Sequence, residues 1–135
     1  MVFIPVSADG GLYISIDRWG DPPAHRGGDD GSGRPVPGRV LARLLTHAHT
    51  DHTGGLSGAW ARDGPGTPIY CSPATAAFLG HASKWPALAE RGAFVTVTPG
   101  DCLAVVDSTG AGADENGPPL ATVEVLDGNH CPVRG

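Results

Sequence analysis

The stretch LLTHAHTDHTGGL, residues Leu44 to Leu56, places three histidines and an aspartate within six positions at the end of an apolar run. The whole chain has six histidines, so half of them stand here. In extended backbone, residues two apart point to the same side, so His47 and His49 can present both imidazoles to one cation. Asp51 and His52 then follow around a bend opened by Gly54-Gly55. Imidazole and carboxylate are the ligand types of catalytic Zn²⁺, and three protein ligands with one open position lower the pKa of a coordinated water to about 7. The fold must therefore bring a third ligand for the His47/His49 ion from another strand end. His130, in LDGNHCP, stands at one. A solvated polar loop is the competing reading of the cluster, and spacing that also satisfies coordination geometry favours metal.

Elsewhere the pattern alternates strands with one clear helix. GLYISID predicts a half-buried strand over Leu12 to Asp17. From Gly20 to Gly38, ten of nineteen residues are Gly or Pro, which predicts a surface loop or flexible insertion too poor in apolar side chains to order itself. RVLARLLTH reads as a buried strand into the cluster, although its spacing also fits a short helix. TPIYCSP reads as a strand opened by Pro68, then a helix with Ser72 as N-cap and Pro73 at its first position. AFVTVTPGDCLAVVDS predicts strands at Phe94 to Thr98 and Cys102 to Val106, joined as a hairpin by Pro99-Gly100-Asp101. LATVEVLDG is the last strand and delivers NHCP at its end. No internal repeat is evident.

At 135 residues, 40% hydrophobic and 17% charged, the chain suits one globular domain. Its apolar runs are too short to span a bilayer, and MVFIPVSADGG lacks a basic n-region, so the expectation is a soluble protein without a secretion signal. Three widely spaced cysteines, Cys71, Cys102 and Cys131, fit reduced thiols in an intracellular compartment. A net charge of -5 with only nine Lys and Arg weighs against gripping a polyanion unaided.

The remaining polar and aromatic residues carry plainer readings. His25 is most simply a solvated loop histidine, and His81 a residue favoured at a helix C-terminus by the macrodipole. Trp19, Trp60 and Trp85 are scattered, which favours packing over base stacking. Cys131 has no evident activating base and reads as structural. Asp17 can cap a turn, pair with Arg18, or buttress a metal ligand.

THAHTDH followed by GGL resembles the His-x-His-x-Asp-His signature of the metallo-β-lactamase superfamily. ISIDRW, IYCSPATAAFL and VLDGNHCP narrow the resemblance to the Artemis and PSO/SNM group of DNA-repair nucleases, from about Tyr13 to Pro132. The resemblance implies an α/β, more narrowly α+β, sandwich: the N-terminal half of an αββα fold, a mixed sheet with flanking helices. It implies that His47, His49 and His130 hold one zinc, Asp51 and His52 a second, with Asp17 supporting them. Asp51 and His52 would carry the catalytic work. The implied function of the complete enzyme is nuclear: zinc-dependent phosphodiester hydrolysis at DNA ends, overhangs or hairpins in double-strand-break or cross-link repair. The two ions would stand roughly 4 Å apart and stabilise attacking and leaving oxygens.

Departures from the family pattern are local and global. Gly128 stands where the family usually has alanine and Val133 where it has glycine. The chain stops at Gly135, before the family's metal-bridging aspartate, the second half of the sandwich and the β-CASP cap. Residues 1–135 are thus expected to be a partial metallo-β-lactamase domain, inactive alone and holding at most one zinc, with Val95, Val97, Val105, Val123 and Val125 short of covering. Two bound Zn²⁺ and a basic cap would answer the charge objection. The rivals are a glyoxalase-like small-molecule hydrolase, a β-CASP RNA-processing nuclease, and an inactive metal-binding fragment.

Overall fold

The computed structural model describes residues 1–29, 31–56, 66–81, 85–107 and 118–127, with 25–29 as backbone only. Its centre is β2 (Leu12–Ile16), whose β-branched and aromatic residues suit a pleated surface. β2 lies between β1 (Val2–Pro5), which pairs with it antiparallel, and β5 (Arg39–Leu44), which pairs parallel. β6 (Ile69–Cys71) and β7 (Phe94–Thr96) extend the parallel part, giving a five-stranded mixed sheet of order β1-β2-β5-β6-β7. The expected mixed α/β architecture with flanking helices is the one observed. β2 was expected to be half-buried. Instead Tyr13, Ile14 and Ser15 are all buried, because a central parallel strand is covered on both faces.

One face carries α1 (Thr50–Thr53), α2 (Pro73–His81) and α3 (Pro86–Glu90), around a core of Trp19, Leu45, Leu56, Ile69, Cys71, Leu79, Trp85 and Leu88. Ser72 caps α2 as its sequence predicts: the Thr75 N–H donates to Ser72 Oγ at 3.1 Å. Ile69, Leu79 and Leu88 are fully buried, and truncating such a leucine to alanine costs about 2–5 kcal/mol.

The other face carries β8 (Cys102–Val105) and β9 (Ala121–Glu124), an antiparallel two-stranded ribbon. The predicted hairpin between β7 and β8 does not form. Strand β7 pairs with β6 and β8 with β9, so the chain changes layers between them. The turn that does this is fixed by Asp101, whose carboxylate accepts the Thr98 N–H at 2.6 Å, and by Gly100 at φ 96°. The ribbon folds back on the sheet, packing Val105 against Ile14 and Ala42 with Ala121 and Val123 beside them. Val105 is therefore buried, contrary to the expectation that it lacks cover, whereas Val95 stays 39% exposed.

The Gly/Pro-rich stretch differs from a plain loop. β3 (Ala24–Asp29) and β4 (Pro35–Pro37) pair antiparallel there, their connection using Gly31 and Gly33 at positive φ. Backbone pairing orders it without an apolar core, and residues 31–37 remain exposed. Among the described residues, no helix is long and apolar enough to cross a membrane.

Candidate metal centre

Because β2, β5, β6 and β7 run parallel, their C-terminal ends open on one edge, where ligands of open α/β sheets collect. Asp17 follows β2, Thr46 to His52 follow β5, and Ser72 follows β6. Asp17, Thr46, His47, His52 and Ser72 border a cleft of about 800 Å³, closed on its far side by Val123 to Asp127. Among the described residues lining it, Asp17, Glu124 and Asp127 are acidic and no lysine or arginine appears.

The cluster has the shape its spacing predicts. His47 Nε2 lies 3.0 Å from His49 Nδ1, with the rings edge to face. Two ligand atoms on one tetrahedral zinc stand about 3.3 Å apart, given Zn–N bonds of 2.0–2.1 Å, so this pair needs only a small opening. The bend differs from the Gly-opened turn expected. Asp51 and His52 sit on α1, begun at His49, whose carbonyl accepts the His52 N–H at 3.1 Å and the Thr53 N–H at 3.0 Å. That helical turn brings the His52 ring to 4.0 Å from the His47 ring and His52 Nε2 to 3.4 Å from Asp51 Oδ2. Asp51 is exposed and His52 partly buried.

Asp17 is the hub. It is 3% exposed and sits at φ 50°, in the left-handed region that Asp tolerates better than most residues. Its Oδ1 accepts the Thr46 N–H at 2.9 Å, and its Oδ2 accepts both the Thr46 hydroxyl at 2.8 Å and His52 Nδ1–H at 2.7 Å. A carboxylate only accepts, so the His52 proton sits on Nδ1 and the lone pair on Nε2, beside Asp51. The same logic passes through Thr46. Its single hydroxyl proton goes to Asp17, so at 2.9 Å from His47 Nδ1 its oxygen accepts, which leaves the His47 lone pair on Nε2, facing His49. One buried carboxylate thereby sets the tautomers of two histidines, leaving the lone pair of each on Nε2, that of His47 facing His49 and that of His52 facing Asp51.

Four of the five residues singled out as ligands, His47, His49, Asp51 and His52, are thus together, with Asp17 behind them. His130 lies outside the described residues. Among the described residues, no three such side chains already converge as a metal-holding group. The donor chemistry nevertheless fits a divalent cation of zinc type: three imidazoles and a carboxylate gathered beside a cleft whose charged lining, among the described residues, is acidic. Two participants were not legible in the sequence. Thr46 reads only as a strand residue before the first histidine. Trp19, assigned to packing, donates its indole N–H to the His52 carbonyl at 2.8 Å across 33 residues of chain. His81 ends α2 as expected, and Trp85 is core. Cys71 is a buried residue of the cleft lining, and burial raises its thiol pKa to about 11, so it is no nucleophile at neutral pH.

Sequence comparison names the relatives of this arrangement. The chain is 41% identical over 93 residues to the 5' exonuclease Apollo of Gallus gallus, covering 67% of this chain and 16% of that protein. To Apollo of Mus musculus it is 42% identical over 93 residues, 67% of this chain and 14% of the relative. To Apollo of Danio rerio it is 36% identical over 93 residues, 66% and 13%. The chain belongs to the Artemis/PSO/SNM group of the metallo-β-lactamase superfamily. It spans less than one-fifth of the length of the curated relatives it matches. No protein-family model and no solved structure matches it.

Proposed function

We propose that this chain is the metal-binding part of a zinc-dependent DNA nuclease that hydrolyses phosphodiesters at DNA ends, in keeping with the name 5' exonuclease that its Apollo relatives carry. The observation that carries the reading is the Asp17 hub. A buried carboxylate that orients two histidines toward a shared acidic cleft serves metal ligation, and a packed core has no use for it. His47 and His49, with His130 as third ligand, would hold one zinc, and Asp51 with His52 would contribute to a second. Zinc bound there supplies Lewis acidity toward a phosphodiester and toward water.

The chain's own residues do the rest. Asp17 and Thr46 hold the histidine rings in their ligating tautomers. Asp51, exposed beside His52, accepts a proton from an attacking water and orients it. Against a cleft lining that is acidic where described, bound cations would offset the repulsion of an approaching phosphodiester. DNA repair in the nucleus is the setting this activity fits.

The test is a chimera in which this chain replaces the matching segment of chicken Apollo, assayed on 5′-phosphorylated single- and double-stranded DNA. It should digest from 5′ ends, and Asp51→Ala or His52→Ala should reduce the rate at least ~100-fold. The isolated 135-residue chain should bind metal without cutting. Hydrolysis of thioesters or lactones with no DNA cleavage would overturn the reading.

A further inference from the structure

We infer that Trp19 is a positioning residue: its indole is a clamp that fixes the Asp51–His52 ligand pair through the His52 backbone, while Asp17 holds the His52 ring. The inference rests on the zinc reading above and adds a residue to it. Two independent contacts converge on this ring. The Trp19 Nε1–H donates to the His52 carbonyl at 2.8 Å, so the backbone of the ligand is held as well as its ring. The root of the indole also closes on Gly55, where an added Cβ would stand 2.9 Å from Trp19 Cβ and Cδ1. Those atoms belong to the stiff end of the side chain, so the turn after α1 approaches as closely as glycine permits and no closer.

The bracket that carries Trp19 is itself immobilised. Asp17 is bound to Thr46 and His52, and the Arg43 guanidinium, buried at 3% exposure, donates to the Arg18 carbonyl at 2.9 Å. Trp19 is 4% exposed in the helix-side core. Three successive residues therefore each fix a different point: Asp17 the two histidines, Arg18 its own backbone to β5, and Trp19 the His52 carbonyl. Holding a ligand at its ring and its carbonyl restricts rotation about its side-chain bonds and sliding of the loop, which is what a preorganised site requires. Phenylalanine would still supply an apolar ring to the core, but it lacks the N–H.

The test uses the full chain and compares Trp19→Phe with Trp85→Phe, which alters a second buried tryptophan of the same core. Zinc affinity by chelator competition, the visible spectrum of the cobalt-substituted protein, and melting temperature are measured for each. Trp19→Phe should weaken zinc binding about 10-fold and alter the cobalt spectrum, while Trp85→Phe lowers the melting temperature without moving either metal readout. Gly55→Ala, whose added Cβ presses on Trp19 Cβ and Cδ1, should reproduce the metal effect and serves if Trp19→Phe does not fold. Equal zinc affinity and an unchanged cobalt spectrum in Trp19→Phe overturn the clamp alone. Failure of the unaltered chain to bind zinc or cobalt overturns the zinc reading and the clamp with it.

Discussion

Asp17→Asn isolates the charge of the hub from its shape. Asparagine keeps the side-chain outline and also tolerates the left-handed backbone at φ 50°, so no new strain arises. The amide oxygen can keep the Thr46 N–H, but the amide nitrogen then replaces Oδ2, which accepts from both the Thr46 hydroxyl and His52 Nδ1–H. Two charge-assisted hydrogen bonds at about 1.5–3 kcal/mol each set an upper bound near 6 kcal/mol. Relaxation reduces this, because the hydroxyl can rotate and the His52 proton can move to Nε2, leaving a net loss of about 2–3 kcal/mol. For a domain of this size that lowers the melting temperature by roughly 10 °C. The larger effect falls on metal. With its proton on Nε2, His52 turns an N–H toward Asp51 and the cleft where a lone pair stood, so zinc affinity should drop about 10–100-fold. Circular-dichroism melts and zinc competition measure the two losses. A variant that melts within about 2 °C of the parent and binds zinc equally well would refute the hub.

Thr46→Val keeps the volume but removes the hydroxyl relay to His47; zinc affinity should fall several-fold by chelator competition while far-UV circular dichroism stays the same. Gly38→Ala should cost at least about 2 kcal/mol in urea unfolding, because a Cβ there would stand 2.5 Å from the Pro23 carbonyl oxygen and 2.6 Å from Tyr13 Cε2. Exposed Cys102 should react with iodoacetamide at pH 8 and buried Cys71 only on unfolding, read by peptide mass spectrometry. The folded Cys71 thiol keeps its proton to about 11 against 9.0 for the ordinary value, so the stability it contributes is complete below pH 9.0 and lost as pH rises to about 11. Cys71→Ala should remove that loss from the alkaline arm of the stability profile.

The histidine cluster and the strands that lead into it were legible because their signals are local. Alternation marks β2, an apolar run marks β5, Ser72-Pro73 marks the start of α2, and the spacing of His47 and His49 anticipates their 3.0 Å approach. What stayed hidden depends on pairing between distant segments. Nothing in PGD says that the chain will cross to another layer instead of folding back on itself, since β7 is claimed by β6 through a parallel ladder that local turn chemistry cannot reveal. Asp17 was open to three readings until the parallel register of β2 and β5 set it beside Thr46. Trp19 was assigned to packing, and its bond to the His52 carbonyl follows from the same register. The β3–β4 pair formed where composition predicted none because backbone pairing needs no apolar side chains.

The central claim is that the His47–His52 segment binds zinc. Its most direct test is metal content by mass spectrometry of the 135-residue chain, purified in the presence of zinc and exchanged into metal-free buffer, beside the His47→Ala/His49→Ala double variant. About one zinc per chain is expected in the parent and little in the variant, because losing both imidazoles removes the chelating pair. Equal zinc in the two proteins, or none in a folded parent, would contradict it.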